Sequence, residues 1–253
     1  MSSIISIIFL FSPDICNCIK LWLFIGFLFL IACIYLVVYF YHKKSKKIKL
    51  KINNTIVNVF FGNIFEMPGK KVIAFNEYFD TLVDERIITS KSLNGQLVKK
   101  LSYQKIDRSI NNDKNLVSIE MNEHRPRGKK KKYQLGSIHM IEDYFLLALT
   151  HFNEKNEAEI FSNDYAKCLL EMWKQLNNKY AQEEIFIPLL GGGITRILDN
   201  RAIEEQELLE IMLNTLEISK LTFKKPSTIN IVLYNDEQSY NNYNFARIKQ
   251  LFK

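Results

Sequence analysis

The sequence is poor in the residues that build metal centres and disulfide frameworks. It has four cysteines and four histidines in 253 residues. Cys16, Cys18 and Cys33 lie in or beside an apolar segment, and Cys168 stands alone in a helical pattern. No Cys-x-x-Cys pair occurs, and the histidines lack the spacing of zinc ligands. We therefore predict no disulfide, which suits a reducing compartment, and neither a metal site nor a bound cofactor.

Most of the chain also lacks an excess of charge. The formal net charge is +7, but six lysines fall within residues 43–51, and residues 52–253 carry 27 basic and 26 acidic side chains. The surplus therefore adjoins the apolar segment. A nearly neutral domain gives no electrostatic footprint for nucleic acid, so we predict no nucleic-acid partner. With 47% hydrophobic residues, the part beyond residue 51 is expected to fold as one globular domain.

Residues 21–41 contain no charged side chain at all. A helix of that length spans roughly 30 Å, the thickness of the hydrocarbon core of a bilayer. Trp22 lies near one end and Tyr39 and Tyr41 at the other, as at membrane interfaces. A buried core helix would show a polar stripe, and a signal peptide would be shorter and end in small residues. We predict a transmembrane helix.

The N-terminal region, residues 1–42, allows one or two membrane passes. Residues 4–11 are apolar but too few to span a bilayer, and a short first pass over residues 2–18 would make a helical hairpin. Both alternatives stay open. The lysines of residues 43–51 are expected to form a juxtamembrane linker against anionic headgroups. They orient the domain at 52–253 towards the cytoplasm, at the cell inner or plasma membrane.

The domain at 52–253 alternates strand-like and helix-like segments. Strands are predicted at 55–61, 71–75, 145–152, 184–190 and 229–234, helices at 92–101, 164–180, 201–216 and 243–252, and a hairpin at 117–135. The alternation predicts an α/β fold with a mixed, largely parallel sheet covered on both faces. Ligands of such sheets bind at the carboxyl ends of the strands.

A glycine-rich segment directly follows the strand predicted at 184–190. It consists of Gly191, Gly192, Gly193, Ile194, Thr195 and Arg196. Successive glycines can turn backbone N–H groups towards an anion, a following helix adds its dipole, and an arginine can pair with phosphate. The segment is neither a Walker loop nor Gly-x-Gly-x-x-Gly. Taken alone, three glycines slightly favour the alternative of a tight turn between strand and helix.

Two asparagines each close a predicted strand. Asn63 follows Gly62, and Asn76 ends the segment Ile73-Ala74-Phe75-Asn76. A side-chain amide at such a position could read a base edge or a ribose hydroxyl. For either asparagine alone, ending a strand is the simpler interpretation.

Taken in order, these segments resemble the macro-domain family. Residues 62–76 are similar to its Gly-Asp-Ile-Thr turn followed by a strand ending in Asn-Ala-Ala-Asn, and residues 188–196 (PLLGGGITR) to its phosphate loop. The resemblance runs through the closing strand and Tyr234-Asn235-Asp236. It implies a three-layer macro-domain fold, preceded here by a transmembrane helix or helical hairpin.

A membrane segment fused to a macro domain resembles the transmembrane-macro effectors of Thoeris anti-phage defence systems. The resemblance implies a non-enzymatic, membrane-anchored sensor. A TIR-domain partner consumes NAD to make an ADP-ribose-derived signal, and binding leads to homo-oligomers, membrane damage and death of the infected cell. A membrane-tethered ADP-ribosyl hydrolase is the alternative, and a lipid-binding structural adaptor is a third possibility.

The resemblance also implies the roles of individual residues. Asn63 and Ile64 would hold the adenine, while Asn76 and a loop formed by Asn94 and Gly95, leading into the helix at 92–101, would face the distal ribose and its attached group. The backbone of residues 191–196 would cradle the diphosphate. Asn235 and Asp236 would lie near the adenine or its ribose, with Tyr234 as a stacking surface.

The sequence departs from the family pattern in two places. Asn63 replaces the acidic residue that binds adenine, and an insertion at 77–93 replaces the glycine loop after Asn76, which hydrolytic members use. The second departure favours binding over turnover. Within the insertion, Glu77, Asp80 and Asp84 are expected to be solvated. The basic run at 125–132 is expected to be an exposed hairpin tip, with membrane contact second and nucleic acid a distant third.

Overall fold

The computed structural model describes residues 17–43, 47–153, 155–193, 196–197, 203–223, 228–236 and 239–252. The chain divides into two compact units, residues 1–45 and residues 46–253.

The first unit contains helix α1 (Asn17–Lys43), of 27 residues. Its side chains are described for Trp22 and for residues 24–36. The large apolar ones among these are exposed, Trp22 and Phe29 by more than 70%, and Cys33 is partly exposed. Within the described part of the chain, no helix combines the length and apolar character needed to cross a membrane. The transmembrane span stays a prediction. The short first pass at 2–18 falls mainly on residues 1–16, outside the described residues.

The second unit is built on a sheet of nine strands among its described residues, with a separate two-stranded hairpin. The strands are β1 (Lys47–Ile52), β2 (Thr55–Gly62), β3 (Lys70–Asn76), β4 (Ser118–Met121), β5 (Lys131–Tyr133), β6 (Ile138–Ile141), β7 (Tyr144–Phe152), β8 (Ala158–Ile160), β9 (Ile185–Pro188), β10 (Arg196–Ile197) and β11 (Ile229–Tyr234).

The main sheet has the order β1-β2-β11-β9-β3-β7-β8-β10, and β6 pairs with β7. The five strands from β2 to β7 in this order are mutually parallel. Strands β1, β6 and β8 join antiparallel to their neighbours, and β10 is parallel to β8. The predicted mixed, largely parallel sheet is confirmed. β4 and β5 form the predicted hairpin.

The helices of the second unit cover both faces of the sheet. They are α2 (Leu93–Leu101), α3 (Tyr103–Asn112), α4 (Ser162–Lys179), α5 (Glu205–Ser219) and α6 (Phe245–Leu251), with 3-10 turns at Ile64–Glu66 and Ser239–Asn242. Phe145 and Leu147 of β7 pack into the core with α4, α5 and α6, whereas Leu146 and Ala148 pack into the core with α2 and α3. The alternation of a strand therefore feeds two cores, one on each face.

The basic segment after α1 differs from its prediction. Residues 43–51 were expected to be a linker, but β1 begins at Lys47 and pairs antiparallel with β2. Ile48, Leu50 and Ile52 are buried, while the lysines between them are exposed. The sequence Lys-Ile-Lys-Leu-Lys-Ile has the period of a half-buried strand, and burial of every second residue stabilises it as an edge strand. The folded unit thus begins at residue 46, before the predicted boundary at 52.

Candidate functional site

Four neighbouring parallel strands end at one edge of the sheet, and each is followed by residues of the predicted site. β2 ends at Gly62 and β11 at Tyr234, which pair in register, and Val232 of β11 pairs with Pro188 at the end of β9. β3, next to β9, ends at Asn76. The carboxyl edge of a parallel sheet is where ligands bind in α/β folds. The fold therefore brings the segments after β2, β11, β9 and β3 to one side of the molecule.

The glycine bend after β9 is open. Leu190 is buried and its carbonyl accepts a hydrogen bond of 2.7 Å from the Tyr165 hydroxyl, which fixes the start of the bend. Gly191 has φ +82°, a conformation that favours glycine. Gly192 and Gly193 are exposed, and a Cβ built on Gly193 would meet no atom within 4 Å. The bend is thus accessible to a ligand, as a phosphate loop requires.

The rest of the predicted loop is described only in part. Ile194 and Thr195 lie outside the described residues. Of Arg196 the backbone alone is described, and it pairs in parallel with Glu159 of β8. The roles predicted for residues 194–196 therefore stay predictions.

Asn63 caps the 3-10 turn that follows β2, and Ile64 is the first residue of that turn. The Asn63 side chain accepts a hydrogen bond from the Phe65 N–H at 3.1 Å and donates to Glu66 Oε1 at 2.8 Å. Ile64 is 4% exposed and packs into the core with α2 and α3. Asn63 is itself exposed at the sheet edge, so its backbone and amide lie at the surface beside β11. Its role in holding adenine stays a prediction.

Asn76 is buried and its side chain organises the turn that follows β3. The amide oxygen accepts hydrogen bonds from the N–H groups of Tyr78 at 3.0 Å and Asp80 at 3.2 Å. Its Nδ2 donates to Asp80 Oδ2 at 2.8 Å. The amide thus holds the insertion against the strand end, and one N–H of Nδ2 is not engaged by these bonds.

Asn94 and Gly95 do not form a loop, which corrects the sequence analysis. Both lie in the first turn of α2, which Ser92 caps by accepting a hydrogen bond from the Gly95 N–H at 3.2 Å. A Cβ on Gly95 would lie 2.2 Å from the carbonyl oxygen of Thr89, so close packing requires this glycine. Asn94 Oδ1 also accepts from the Gly95 N–H, at 2.9 Å. Serine before the pair was the signal of a helix start.

Asn235 and Asp236 follow β11 at the sheet edge. The Tyr240 hydroxyl donates to Asn235 Oδ1, and the backbone of Asp236 bonds to Tyr234 at 3.1 Å and to Ser239 at 3.0 Å. Tyr234 is 77% exposed, the largest exposed fraction among the large hydrophobic side chains of the described residues. An exposed ring at this edge offers the flat surface expected of a stacking partner, although contact with a ligand stays a prediction.

Sequence comparisons with known proteins identify the family of this chain. The family model described as "Thoeris protein ThsA, Macro domain" matches residues 57–234. The Thoeris protein ThsA of Bacillus amyloliquefaciens (strain Y2) is 43% identical over 213 residues, which cover 81% of this chain and 71% of that protein. The chain belongs to the ThsA macro-domain family.

Solved structures agree with this ThsA macro fold. A point mutant of the Oceanobacillus iheyensis macrodomain with ADPR superposes with a TM-score of 0.51 at 12% identity, covering 82% of this chain and 100% of that one. The same macrodomain with ADP gives a TM-score of 0.50 at 13% identity, covering 81% and 96%. At this identity the likeness concerns the fold alone, and it confirms the predicted macro-domain architecture.

In this ThsA macro domain, the insertion after Asn76 is locked by buried charges, which the sequence analysis missed. Asp80 has a side chain 1% exposed and receives Arg125 Nη2 at 2.6 Å and Nη1 at 3.0 Å. The Lys129 N–H donates to the same carboxylate at 2.7 Å. The Arg125 guanidinium also lies 4.0 Å from the centre of the Tyr78 ring. The expectation of a solvated Asp80 is therefore wrong. The basic run at 125–132 is largely exposed, as expected of a hairpin tip, but Arg125 is buried and Lys129 and Lys132 are partly buried.

Glu77 is also buried, again against expectation, and it belongs to a second charge cluster. Its Oε2 lies 2.6 Å from His151 Nδ1 and 3.4 Å from Lys132 Nζ. The hydrogen bond to Glu77 raises the pKa of His151 above its ordinary value. Asp84, by contrast, is only partly covered, and backbone N–H groups of Ile87 and Arg86 hold its pKa below the usual value.

The Glu77 cluster borders an open cavity of about 420 Å³ at the carboxyl ends of β3 and β7. Glu77, Ile119, Glu120, Lys132, Tyr133, Gln134, Leu135, His151, Asp164, Lys167, Cys168 and Glu171 line it. Burial raises the pKa of the Cys168 thiol to about 12, so this cysteine is a poor nucleophile. Among the described residues, no group of His, Cys, Asp and Glu side chains is arranged to hold a metal ion.

Proposed function

We propose that this chain is a membrane-attached effector of Thoeris anti-phage defence whose macro domain binds an ADP-ribose-derived nucleotide. Membership of the ThsA macro-domain family supports the defence role. The main observation in favour of this ligand is the open glycine bend at the carboxyl edge of the sheet, with Gly192 and Gly193 exposed. The Oceanobacillus iheyensis macrodomain, which has the same fold, was solved with ADPR, and this points to the same ligand class.

The strand order supports an elongated ligand lying along this edge. β9, which leads into the glycine bend, lies between β11 and β3. Asn63, Asn235 and Asp236 follow strands on one side of the bend, and Asn76 ends the strand on the other side. A diphosphate at the bend would therefore direct the adenine towards β2 and β11, and the distal ribose towards β3. With strands about 4.8 Å apart, β2 and β3 are separated by about 14 Å.

The charge network after Asn76 favours a sensor over an enzyme. Both oxygens of Asp80 are engaged, one by Arg125 Nη1 and the Lys129 N–H, the other by Arg125 Nη2 and Asn76. Because each oxygen of Asp80 already accepts two hydrogen bonds from the protein, none of its lone pairs is left to orient a water molecule for hydrolysis. The second candidate, an ADP-ribosyl hydrolase, is favoured by one observation, namely that the buried Glu77 and its partly exposed partner His151 border a cavity next to the distal end of the edge.

The remaining parts of the proposal concern the first unit and the partners. The exposed apolar side chains of α1, with lysines following it, support attachment to a membrane with the macro domain on the cytoplasmic side. A TIR-domain partner would make the signal from NAD. For binding to drive clustering and membrane damage, the nucleotide must bind the clustered state more tightly than the resting state.

Calorimetric titration with ADP-ribose tests the ligand site. We expect Gly193→Glu to weaken binding at least about 100-fold, because a carboxylate would face a diphosphate at close range. The fold should be unaffected, since a Cβ at this position meets nothing within 4 Å. Gln104→Glu adds the same charge at an exposed position of α3 and should bind like the wild type.

Two results would change the proposal. Equal binding by wild type and Gly193→Glu, or no heat with either protein, would remove the glycine bend as the phosphate site. Release of ADP-ribose from a modified protein, lost in Glu77→Gln, would make the hydrolase the better assignment.

A further inference from the structure

A second constellation of polar side chains lies away from the carboxyl edge and outside the proposed nucleotide site. Ser109 Oγ is 2.9 Å from His139 Nε2, and His139 Nδ1 is 2.7 Å from Asp113 Oδ2. These are the contacts of a serine nucleophile, a histidine base and an orienting aspartate. A catalytic triad is recognised by such geometry and not by the order of its residues in the sequence.

Helix α3 and strand β6 bring the three side chains together. Ile106 and Ile110 bury one face of α3 in the core, and Ser109 lies on the adjoining side, where α3 packs against β6. Asp113 is the C-terminal cap of α3, and its backbone N–H donates to the Ile110 carbonyl at 3.2 Å. His139 pairs with Leu146 near the start of β7, whereas Glu77 and His151 lie at its other end.

The constellation opens into a cavity of about 490 Å³. Ser109, Asn112, Asp113, Asn115, His139, Met140 and Lys179 line it. His139 is 3% exposed, so its ring is held in the wall, while Ser109 is half-buried and reachable. If His139 served only to hold α3 against β6, no cavity beside Ser109 would be required. The volume suits a small substrate.

The hydrogen bonds fix the tautomer of His139. An ionised aspartate can only accept, so Nδ1 carries a hydrogen and Nε2 is the acceptor for the Ser109 hydroxyl. Burial lowers the pKa of His139 below its ordinary value, more than the bond to Asp113 raises it. Burial raises the pKa of Asp113, but the bonds from His139 and the Asn115 N–H outweigh it and bring the pKa below the usual value. At neutral pH the ring is therefore an uncharged base.

We propose that Ser109, His139 and Asp113 form a hydrolytic site for small polar esters. The Ser109 oxygen attacks the ester carbonyl while its proton passes to His139 Nε2. The carbon–oxygen bond to the alcohol then breaks, and the alcohol leaves with that proton. A water molecule, giving its proton to the same nitrogen, attacks the acyl-serine, and the proton returns to Ser109 as the acid departs. Asp113 is the positioning residue.

The cavity wall also offers partners for the developing oxyanion. Lys179 Nζ donates to the Ile138 carbonyl at 2.6 Å, which occupies one of its three N–H bonds. Burial lowers the pKa of this lysine, as expected for an ammonium group held in a partly enclosed wall. The Asn112 side chain, three residues beyond Ser109 on α3, is a second donor lining the cavity. Such donors stabilise the charge that forms in acyl transfer.

Covalent labelling of the full chain tests the nucleophile. We expect a fluorophosphonate probe to attach to the Ser109 oxygen with loss of fluoride, and peptide mass spectrometry to locate it there. Ser109→Ala should lose the label. Ser118→Ala removes an exposed serine of β4 outside the cavity and should keep it. If the wild type carries no more label than Ser109→Ala, the proposal is overturned.

Hydrolysis of p-nitrophenyl acetate distinguishes a hydrolytic site from a purely structural tie. We expect Asp113→Asn to lower kcat by about 10²–10⁴-fold with KM nearly unchanged, because the imidazole loses its orientation and its charge partner. Asp113→Glu should recover part of the rate. If the three residues have a purely structural role, all variants should hydrolyse the ester at the wild-type rate while their melting temperatures fall. This result would overturn the proposal. ADP-ribose binding should be unchanged in Ser109→Ala, so this test is independent of the nucleotide site.

Discussion

The bend after β9 and the turn after β3 lie side by side on the sheet edge, but they are built in opposite ways. The bend exposes the backbone of Gly192 and Gly193, with no atom near the Cβ position of Gly193. The turn is filled with side chains that bond to one another, centred on Asp80 and Arg125. The glycine bend leaves its backbone groups accessible to a ligand, whereas most polar groups of the turn after β3 already form hydrogen bonds within the turn.

This difference indicates how the carboxyl edge of the sheet can bind a ligand without catalysing a reaction. An open glycine bend can receive an anion without breaking any internal contact, because its backbone is already exposed. We expect the filled turn to keep its shape when a ligand binds, because a buried ion pair with each carboxylate oxygen bonded is costly to disrupt. A rigid turn after β3 beside an open glycine bend after β9 favours reversible binding of a ligand over its chemical conversion.

The largest expected effect comes from breaking the filled turn. We expect Arg125→Ala to lower the free energy of unfolding by roughly 3–5 kcal/mol, because it leaves the buried Asp80 carboxylate without its counter-ion. Urea unfolding followed by circular dichroism measures the change.

Arg127 provides the matched control for this prediction. It pairs with Asp84 at 3.4 Å, but its side chain is 52% exposed, so Arg127→Ala should cost no more than about 1 kcal/mol. Equal losses in the two variants would mean that the turn is not locked by its buried pair, and the contrast with the glycine bend would fail.

A smaller effect should separate the glycines of packing from the glycines of the bend. We expect Gly95→Ala to destabilise the domain by about 1–3 kcal/mol, because the new methyl would press on the Thr89 carbonyl. Gly193→Ala should change stability by less than about 0.5 kcal/mol, because space is free there. Thermal unfolding of both variants is the measurement, and a reversed order would contradict the assignment of both glycines.

The sequence was sufficient for the parts of the edge that depend on local patterns. Runs of apolar residues ending at Gly62, Asn76, Leu190 and Tyr234 predicted the strands and placed the candidate residues after them. Helix α3 was missed because it is polar, with Ile106 and Ile110 as its buried residues. β1 was misread because its lysines dominated over the alternation of Ile48, Leu50 and Ile52.

The filled turn could not be predicted, because its charges pair over long distances in the chain. Asp80 and Arg125 are 45 residues apart, and Glu77 and His151 are 74 apart. Asp80, Glu77 and Arg125 were expected at the surface, since Asp, Glu and Arg are seldom fully buried without partners. Only the fold brings the partners together. The basic run at 125–132 was visible in the sequence, but nothing local identified the carboxylates that Arg125 and Lys132 contact.

The smallest effect concerns two histidines whose pKa values are shifted in opposite directions. The bond to Glu77 raises the pKa of His151, so its contribution to stability is full below the unfolded value of about 6.5 and is lost as pH rises through the folded pKa. Burial lowers the pKa of His139, so folding is penalised as pH falls below about 6.5. His151→Gln should therefore weaken the domain more at pH 5.5 than at pH 8, whereas His139→Gln should relieve part of the acid-induced loss. The change in the free energy of unfolding between the two pH values, from urea titrations, should have opposite signs for the two variants. For His151→Gln it should stay under about 1 kcal/mol, because the His151 side chain is one-third exposed. Equal signs would mean that the hydrogen bond to Glu77 does not favour the charged form of His151. That bond would then not be what holds the two residues in the wall of the cavity at the carboxyl ends of β3 and β7.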